Sequence, residues 1–464
     1  MMLKIKISIL FLFSLPLLSI ERLQIEELTY IGPPAENWLV AGIRSTVTND
    51  LRRVSSDHEF EVITVEDQNE ALKTATEKRK GGAKINLTDE VAKILAVDYR
   101  CVGSVQNINN IVRVNLRLLK GPDFKVWKST TTDKKKSDLL ELQNQVVFNL
   151  LKDIDGKIND EQKKVIEISR PKNQSAYESY AKGLKLEFTD PKEALNYFSK
   201  AIEVDENYVD ALLKAGEISY SPLSQKIEAK NYFEKVESIL QTQGKQSTSE
   251  YAFLMHQIGR VSKGNIRKEY YNKSKSVYET LGLKNTKGYA DVLSDIGYNE
   301  DNLEYLFEAQ NILENIGLKK SLQYCQVLSS IASVYDDKYE NTFKALEYYL
   351  LSKSIMESMG FQNTYVYGYL LNNIGTVTKD RDEELEYYLK AKSVYDKLGL
   401  HKSNGYAMMM NNIGANYFNR DKLNTALEYF LKAKSIYEAN GEYSSSGYKM
   451  VEGNLEKLYE AKRK

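Results

Sequence analysis

The sequence predicts a mainly α-helical protein in which a solenoid of helix pairs follows a small α/β domain. The phrase LLNNIG at 370–375 returns as MMNNIG at 409–414, a step of 39 positions, and each copy precedes a second helical phrase, LEYYLKAKS at 385–393 and LEYFLKAKS at 427–435. Such self-similarity is typical of helix pairs that bury their apolar faces only by stacking on their neighbours. The low proline content, 7 residues in 464, also suits long helices.

Charge and cysteine content exclude several classes of protein. The 64 Lys and Arg residues equal the 64 Asp and Glu residues in number, so the net charge gives no reason to expect a nucleic acid partner. The 2 cysteines, Cys101 and Cys325, are far apart in the sequence. Two thiols do not provide a disulfide framework or a zinc site.

Residues 1–20 are predicted to be a signal peptide or an N-terminal anchor. Lys4 and Lys6 precede an apolar run at 7–20, and a charged start with a short apolar segment is typical of secretory signals. The run is shorter than the roughly 20 apolar residues of a spanning helix. An Ala-x-Ala cleavage pattern is missing, so a cleaved signal, an uncleaved anchor and a buried first strand stay open. We expect an exported protein of the periplasm or cell envelope, associated with the membrane in the anchored form.

The segment 21–155 is predicted to be a mixed α/β domain. Apolar alternation and β-branched residues predict strands at 23–30, 60–65, 99–106, 111–119 and 125–131. Helical spacing of apolar residues predicts helices at 38–54, 70–78, 88–96 and 139–154. The Asn-rich turn before position 111 favours a hairpin, and Thr88 is the expected N-cap of its helix.

One stretch of this domain resembles a known family. The phrases ILAVDYRCVGSV at 94–105 and VRVNLRL at 112–118, together with Trp127, are similar to the TolB-like amino-terminal domain. That module precedes repeat arrays in bacterial regulators and is related to domains of outer-membrane assembly lipoproteins. The resemblance implies a non-catalytic, periplasmic interaction domain.

A charged segment at 156–172 is predicted to be a linker, residues 173–442 a repeat array of about seven helix pairs, and residues 443–464 a capping helix. Small residues recur in the first helices of the array, where two helices cross closely. They are Gly259, Gly297, Ala332, Gly375 and Gly414. A tyrosine stands eight positions before each of them. Because this tyrosine keeps the repeat period, we interpret it as a packing residue rather than a stacking platform.

The array resembles tetratricopeptide repeats. Ala194, Phe198 and Ala201 match the family's small, aromatic and small positions of the second helix, and the phrase DENY at 205–208 stands where the family has Asp-Pro-Asn-Tyr. The longer units look like those of kinesin-light-chain-type arrays. The resemblance implies a right-handed superhelix whose first helices line a concave groove for a peptide or protein segment.

No motif indicates catalysis. The three histidines, His58, His256 and His401, form neither a metal-binding nor a triad-like pattern, and the glycine-rich stretch 80–84 lacks P-loop spacing. Carboxylates are spread along helix faces. We therefore expect a protein that is not an enzyme and that has no cofactor, no metal and no small-molecule substrate. A hydrolase acting on envelope polymers is disfavoured for the same reason.

The paired asparagines are the candidate binding residues. The resemblance implies that Asn372 and Asn411 face the groove, and kinesin-light-chain-type repeats carry a similar Asn-Asn phrase. An amide has both an acceptor and donors, so it can hold a peptide backbone without reading its side chains. The alternative is that these amides are merely solvated. Earlier units carry other residues at the equivalent position, namely His256, Ser294 and Ser329.

The sequence thus predicts a non-catalytic protein–protein interaction scaffold of the bacterial cell envelope. Its partner would be a protein or an extended peptide, not a nucleic acid. The alternative is a sensor or regulator that acts in trans on a signalling or transcription partner. Similar modules are joined to a cyclase or a DNA-binding domain, and no such domain is apparent in this sequence.

Overall fold

A computed structural model gives the fold of the protein. It describes residues 21–463 except 55–59, 64–67, most of 69–85, and positions 96, 157, 188–189, 221–224 and 444. The predicted signal or anchor at 1–20, the glycine-rich stretch 80–84 and His58 therefore lie outside the described residues.

A mixed sheet forms the base of the N-terminal domain. Its described strands are β1 Glu21–Ile25, β2 Thr29–Ile31, β3 Phe60–Val62, β4 Tyr99–Ile108, β5 Ile111–Lys120 and β6 Lys125–Lys135. The order is β3-β1-β4-β5-β6, with β2 also pairing with β4. Strand β1 is parallel to β3 and β4, whereas β4, β5 and β6 are antiparallel. Asn109 and Asn110 have positive φ in the two-residue turn after β4, which confirms the predicted hairpin.

Two local predictions in this domain are wrong. The single strand expected at 23–30 is divided into β1 and β2. In the connection between the two strands, Glu26 pairs with Arg100 and Leu28 is buried in the core. The helix expected to begin at Thr88 is α2, Leu87–Ile94, and its N-cap is Asn86. The Asn86 side chain accepts hydrogen bonds from the backbone N–H groups of Thr88 and Asp89.

Helices α1 (Trp38–Val54) and α3 (Leu139–Asp155) pack on the sheet and on each other. The apolar face predicted for α1 is confirmed, because the four residues on it are at most 1% exposed. These residues are Leu39, Ile43, Val47 and Leu51. Helix α1 therefore uses one face for the core of its own domain and keeps its other faces for further contacts.

The segment predicted as a linker contains a helix. Helix α4, Asp160–Ile168, starts with a capping box in which Asn159 and Gln162 bond each other's backbone N–H groups. Ile166 is buried in a hydrophobic core that continues from the sheet into the first helices of the array. The charged residues Asp160, Lys164 and Glu167 of this helix are exposed whereas Ile166 is buried. The helix is therefore amphipathic, and through it the two parts of the protein share one core.

Seven helix pairs follow, which we number units 1 to 7. They are Gln174–Leu186 with Pro191–Val204, Val209–Tyr220 with Lys226–Thr242, Ser249–Val261 with Gly264–Thr280, Lys287–Asn299 with Leu303–Asn315, Leu322–Asp337 with Thr342–Met359, Tyr365–Val377 with Arg381–Lys397, and Asn404–Phe418 with Leu423–Ala439. A closing helix, Ser446–Arg463, packs on unit 7. The fold class, a mainly α-helical solenoid after a small α/β domain, is confirmed.

The repeated tyrosine is a packing residue, as predicted. In units 3 to 7 and the closing helix it is at most 8% exposed, and its backbone N–H is capped by a Ser or Thr three residues earlier, as Tyr289 is by Thr286. Its hydroxyl donates to a carboxylate at the end of the preceding second helix, as in Tyr289 to Glu279, 2.9 Å, and Tyr367 to Glu357, 2.6 Å. This contact fixes each unit on the one before it.

The recurrent small residue marks a close helix crossing. A Cβ added at Gly375 would lie 2.5 Å from the Tyr388 ring, and one at Gly414 would lie 2.8 Å from the Phe430 ring. The glycines that follow the second helices of units 3 to 7 all have positive φ, as glycines that end helices commonly do. They are Gly282, Gly317, Gly360, Gly399 and Gly441.

Among the helices that the structure describes, none is both long enough and apolar enough to cross a membrane.

Candidate functional site

The first helices of the array present one face that does not contact their own second helices. Its residues stand ten, six and two positions before the small residue and one position after it, a spacing that keeps them on one side of an α-helix. In unit 6 these residues are Tyr365, Tyr369, Asn373 and Thr376, and all are exposed or half-buried. We call this surface the inner face. Stacking of the units makes it continuous along the array.

Helix α1 of the N-terminal domain lies on the inner face of units 1 to 3. It packs on the first helix of unit 1, and the approach is so close that a Cβ at Gly42 would overlap the Tyr177 side chain. Ser45 Oγ hydrogen-bonds the Tyr180 hydroxyl at 2.9 Å. Further along, the Arg52 guanidinium lies over the Phe253 ring of unit 3, 5.7 Å from its centroid. This part of the inner face therefore already holds a helix.

A buried cluster of charges joins α1 to units 2 and 3. The Arg53 guanidinium pairs with Asp50 on its own helix at 2.9 Å, with Asp210 of unit 2, and with Glu250 of unit 3 at 3.0 Å. Burial lowers the pKa of Arg53, but the three carboxylates outweigh it and hold the pKa well above its usual value. Burial raises the pKa of Asp210 even beside this cation. The cluster therefore joins α1 to units 2 and 3 by charge as well as by packing.

In units 4 to 6 the inner face is open to solvent and rich in tyrosine. Tyr298, Tyr365 and Tyr369 are 49%, 62% and 45% exposed. Burial raises the pKa of Tyr298, and the nearby Tyr369, Asp337 and Asp301 raise it further. The side chains of three consecutive units thus converge on one surface.

From unit 6 to the closing helix the inner face carries no charged side chain up to Asn454. Its residues are tyrosines, amides, Thr376, Ala415, Ser446 and the methionines Met408 and Met450. At its other end, in unit 4, the inner face carries Asp291 and Asp295 together with Lys287, which lies 3.8 Å from Asp291. Asp336 and Asp337 follow at the end of the first helix of unit 5. The open inner face is therefore acidic at one end and neutral, with apolar and amide groups, at the other.

A half-open cavity of about 230 Å³ lies between the N-terminal domain and units 4 to 6. The domain contributes Arg22, Ala71, Ile94 and Leu95. The array contributes the amino-terminal ends of three first helices and the turns before them, through Lys287, Leu318, Ser321, Leu322, Gln323, Gln326, Phe361 and Tyr365. The N-terminal domain thus forms one wall of the open inner face.

The candidate asparagines are not solvated. Asn372 is 1% exposed and Asn411 is 3% exposed. Asn412 Nδ2 donates to Asn372 Oδ1 at 3.0 Å, and Asn454 Nδ2 donates to Asn411 Oδ1 at 2.9 Å. Each of the two amides is thus bonded to an asparagine of the following first helix or closing helix. A role for Asn372 and Asn411 in holding a partner stays a prediction.

Among the equivalent residues of units 3 to 5, His256 makes a similar side-chain contact to the next unit. His256 Nε2 lies 2.8 Å from Asp295 Oδ2, and Asp295 is the counterpart of Asn412 in unit 4. Ser294 is buried, and Ser329 Oγ donates to the carbonyl of Cys325 within its own helix. The five candidate residues form one row along the first helices, and three of them join neighbouring units directly.

Sequence reasoning missed the exposed tyrosines and the helix that covers units 1 to 3. Tyr365 and Tyr369 are four residues apart, so a search for exposed positions at helical spacing would have found them. The coverage by α1 has no comparable signal, because it joins surfaces that are far apart in the sequence.

The described residues contain no group of three or more His, Cys, Asp or Glu side chains placed to hold a metal ion. His256 has a packing role, and the exposed His401 lies 3.1 Å from Asp396. Cys101 is fully buried, and burial raises the pKa of its thiol to about 12, which disfavours the thiolate form that nucleophilic chemistry requires.

No protein-family model matches the chain, and no curated protein matches it in sequence. Among solved structures, a Rap protein complexed with Competence and Sporulation Factor is similar at a TM-score of 0.42 and 12% identity, over 70% of this chain and 93% of that chain. The apo form of RapI is similar at 0.36 and 15%, over 70% and 95%. The LpoB C-terminal domain from Salmonella enterica is similar at 0.20 and 12%, over 25% and 84%.

Proposed function

We propose that this protein is a non-catalytic scaffold that holds a segment of a partner protein on the inner face of units 4 to 7. One observation carries the proposal. The inner face of units 1 to 3 holds helix α1 of the same chain, whereas the continuation of that face is open and exposes Tyr298, Tyr365 and Tyr369. A surface that binds one protein segment internally is suited to bind another.

The chemistry of the open inner face supports a protein partner. Tyrosine offers a large apolar ring with a hydroxyl at low cost in side-chain entropy, and for this reason it is enriched at protein interfaces. Isolated tyrosines on a surface need no explanation, but three on one continuous face of neighbouring units form a patch. The equal numbers of positive and negative residues favour a protein over a nucleic acid.

The test is affinity capture from extracts of cells that express the protein naturally. Wild type is compared with Tyr369→Ala and with a matched control, Tyr459→Ala. Tyr459 is also 45% exposed, but it stands nine positions after the inner-face residue Met450 and so on the opposite side of the closing helix. We expect Tyr369→Ala to lose a partner that wild type and Tyr459→Ala retain. Equal recovery by all three proteins would contradict the proposal.

We further propose that the protein is exported and acts in the cell envelope. The proposal rests on the charged start and apolar run of residues 1–20 and on the resemblance of the first domain to periplasmic TolB-like modules. Cell fractionation with antibody detection tests it. Recovery in the periplasm or with membranes is expected, whereas recovery in the cytosol would favour the alternative, a regulator that acts in trans.

A further inference from the structure

Helix α1 on units 1 to 3 is an internal example of what the inner face binds. We infer that the open inner face of units 4 to 6 takes an amphipathic α-helix of a partner protein, with small residues and Arg or Lys on its contact side. The inference rests on the proposed function and names the kind of segment that is bound. It follows from the continuity of the open surface with the occupied one.

The aromatic positions show why the bound segment carries small residues. Tyr177, Phe253 and Tyr369 all stand six positions before the small residue of their units. On Tyr177 the occupant is Gly42, and an added Cβ there would also come within 2.7 Å of Ala181. The Tyr177 ring leaves room only for a small side chain because the two helix axes approach closely there, whereas the occupant of the Phe253 ring is Arg52. Tyr369 projects in the same way from unit 6 and is uncovered.

The acidic positions show why the bound segment carries cations. On units 2 and 3, Asp210 and Glu250 pair with Arg53 of the occupant. On units 4 and 5, Asp301, Asp336 and Asp337 lie at or just beyond the carboxyl ends of the first helices and make no ion pair with any residue that the structure describes. Lys338 beside them donates to the backbone carbonyl of Asp301 at 2.9 Å. Their charges are therefore available to a cation that comes from outside the chain, and repulsion between them is relieved when it arrives.

The tyrosine rings add a second interaction for the same cations. Arg52 of α1 lies over the Phe253 ring, which is a cation–π contact. Tyr298 is close to Tyr369 and to two of the acidic side chains. An arginine there would meet a ring face and a carboxylate together, as Arg52 and Arg53 do jointly on units 2 and 3.

The internal example also sets the length of the bound helix. Its contacts with three units run from Gly42 to Arg53, which at 1.5 Å per residue is about 16 Å of helix. A partner helix of three to four turns would span units 4 to 6 in the same manner. An extended segment would cover that distance with about five residues.

A displayed library of random 16-residue peptides tests the inference. It is selected on the full chain, and enriched sequences are made as labelled peptides and titrated onto the variants by fluorescence anisotropy. We expect enrichment of Arg or Lys at spacings of three or four together with Gly, Ala or Ser, and a gain of helical circular dichroism on binding. We expect binding to weaken about tenfold in Tyr369→Ala and in Asp336→Asn/Asp337→Asn, and to be unchanged in Tyr459→Ala.

Other outcomes separate the two proposals. Peptides that depend on Tyr369 but are acidic, contain proline or bind in an extended form would overturn the inference and leave the proposed function standing. If no enriched peptide depends on Tyr369 or on a second variant, Tyr298→Ala, both proposals fail. The substituted tyrosines are exposed, and thermal melting confirms that each variant is folded before the titration.

Discussion

Replacement of Arg53 by methionine tests how the N-terminal domain is held on the array. Methionine keeps much of the apolar stem of arginine and removes its charge. The Arg53 side chain is 6% exposed, and its partners Asp50, Asp210 and Glu250 are 0%, 9% and 14% exposed. The substitution therefore leaves three carboxylates without this cation in a place that water reaches poorly.

The expected loss of stability is about 3 kcal/mol. Breaking a buried ion pair from one side costs about 3–5 kcal/mol, and the lower end applies here because Arg170 still pairs with Asp50 at 2.6 Å. That loss is a large part of the roughly 5–15 kcal/mol of a whole domain. Burial already raises the pKa of Asp210, and Arg53 opposes that rise, so the pKa of Asp210 should be higher still in Arg53→Met. Asp210 then takes up a proton more readily in the variant, which removes one buried charge. The loss of stability caused by Arg53→Met should therefore become smaller as the pH falls.

Urea unfolding followed by circular dichroism at pH 7.5 and pH 5 measures both effects. Arg52→Met is the matched control. It removes the cation–π contact with Phe253, and its free energy of unfolding should fall by only about 0.5–1 kcal/mol. The double change Arg53→Met with Asp210→Asn removes one stranded charge and should be more stable than Arg53→Met alone. A loss at pH 7.5 no greater than that of Arg52→Met would refute the account of the buried cluster.

Three further predictions concern the array. Gly375→Ala should cost about 1–3 kcal/mol because its Cβ meets a tyrosine ring, whereas Gly453→Ala, which meets nothing within 4 Å, should gain up to about 1 kcal/mol in thermal melts. Tyr289→Phe should cost about 1 kcal/mol at pH 7. Hydrogen bonds from Lys275 and from Tyr289 lower the pKa of Glu279 against the effect of burial. The stabilisation by the Tyr289–Glu279 hydrogen bond is therefore present above the usual carboxyl pKa and is lost as the pH falls through the lowered pKa of Glu279 in the folded protein. A cost of Tyr289→Phe that does not change with pH would contradict this prediction. Asn372→Ala should cost about 1–3 kcal/mol, because the Asn412 amide of unit 7 loses its buried acceptor. If the folded variant captures the partner more weakly, the predicted role of Asn372 in binding is supported. Unchanged capture would leave Asn372 with a structural role only.

The features that follow the repeat period could be predicted from the sequence. The tyrosine, the small residue and the helix-ending glycine each answer a local requirement, namely a capped helix start, a close crossing and a left-handed turn. That requirement returns in every unit, so residue type and spacing recur together. The apolar face of α1 could be predicted for the same reason, since it repeats within one helix.

The contacts that could not be predicted join parts of the chain that are distant in sequence. Arg53 meets Glu250 across nearly 200 positions, and neither residue carries a local sign of the other. Ile166 shows the same difficulty, since the few apolar residues of a charged segment indicate a linker until the core beside them is known. The asparagine row was found by its period, but its burial depends on how closely neighbouring first helices stack.

The central claim is that the inner face is occupied by α1 in units 1 to 3 and is open to a partner beyond them. Site-specific photo-crosslinking in cells that express the protein naturally tests it, with p-benzoylphenylalanine placed at Phe253 in one variant and at Tyr369 in another. We predict that position 253 yields only an adduct within the chain, to residues 38–54, and that position 369 yields an adduct of higher mass with another protein. A higher-mass adduct at position 253, or none at position 369, would contradict the claim.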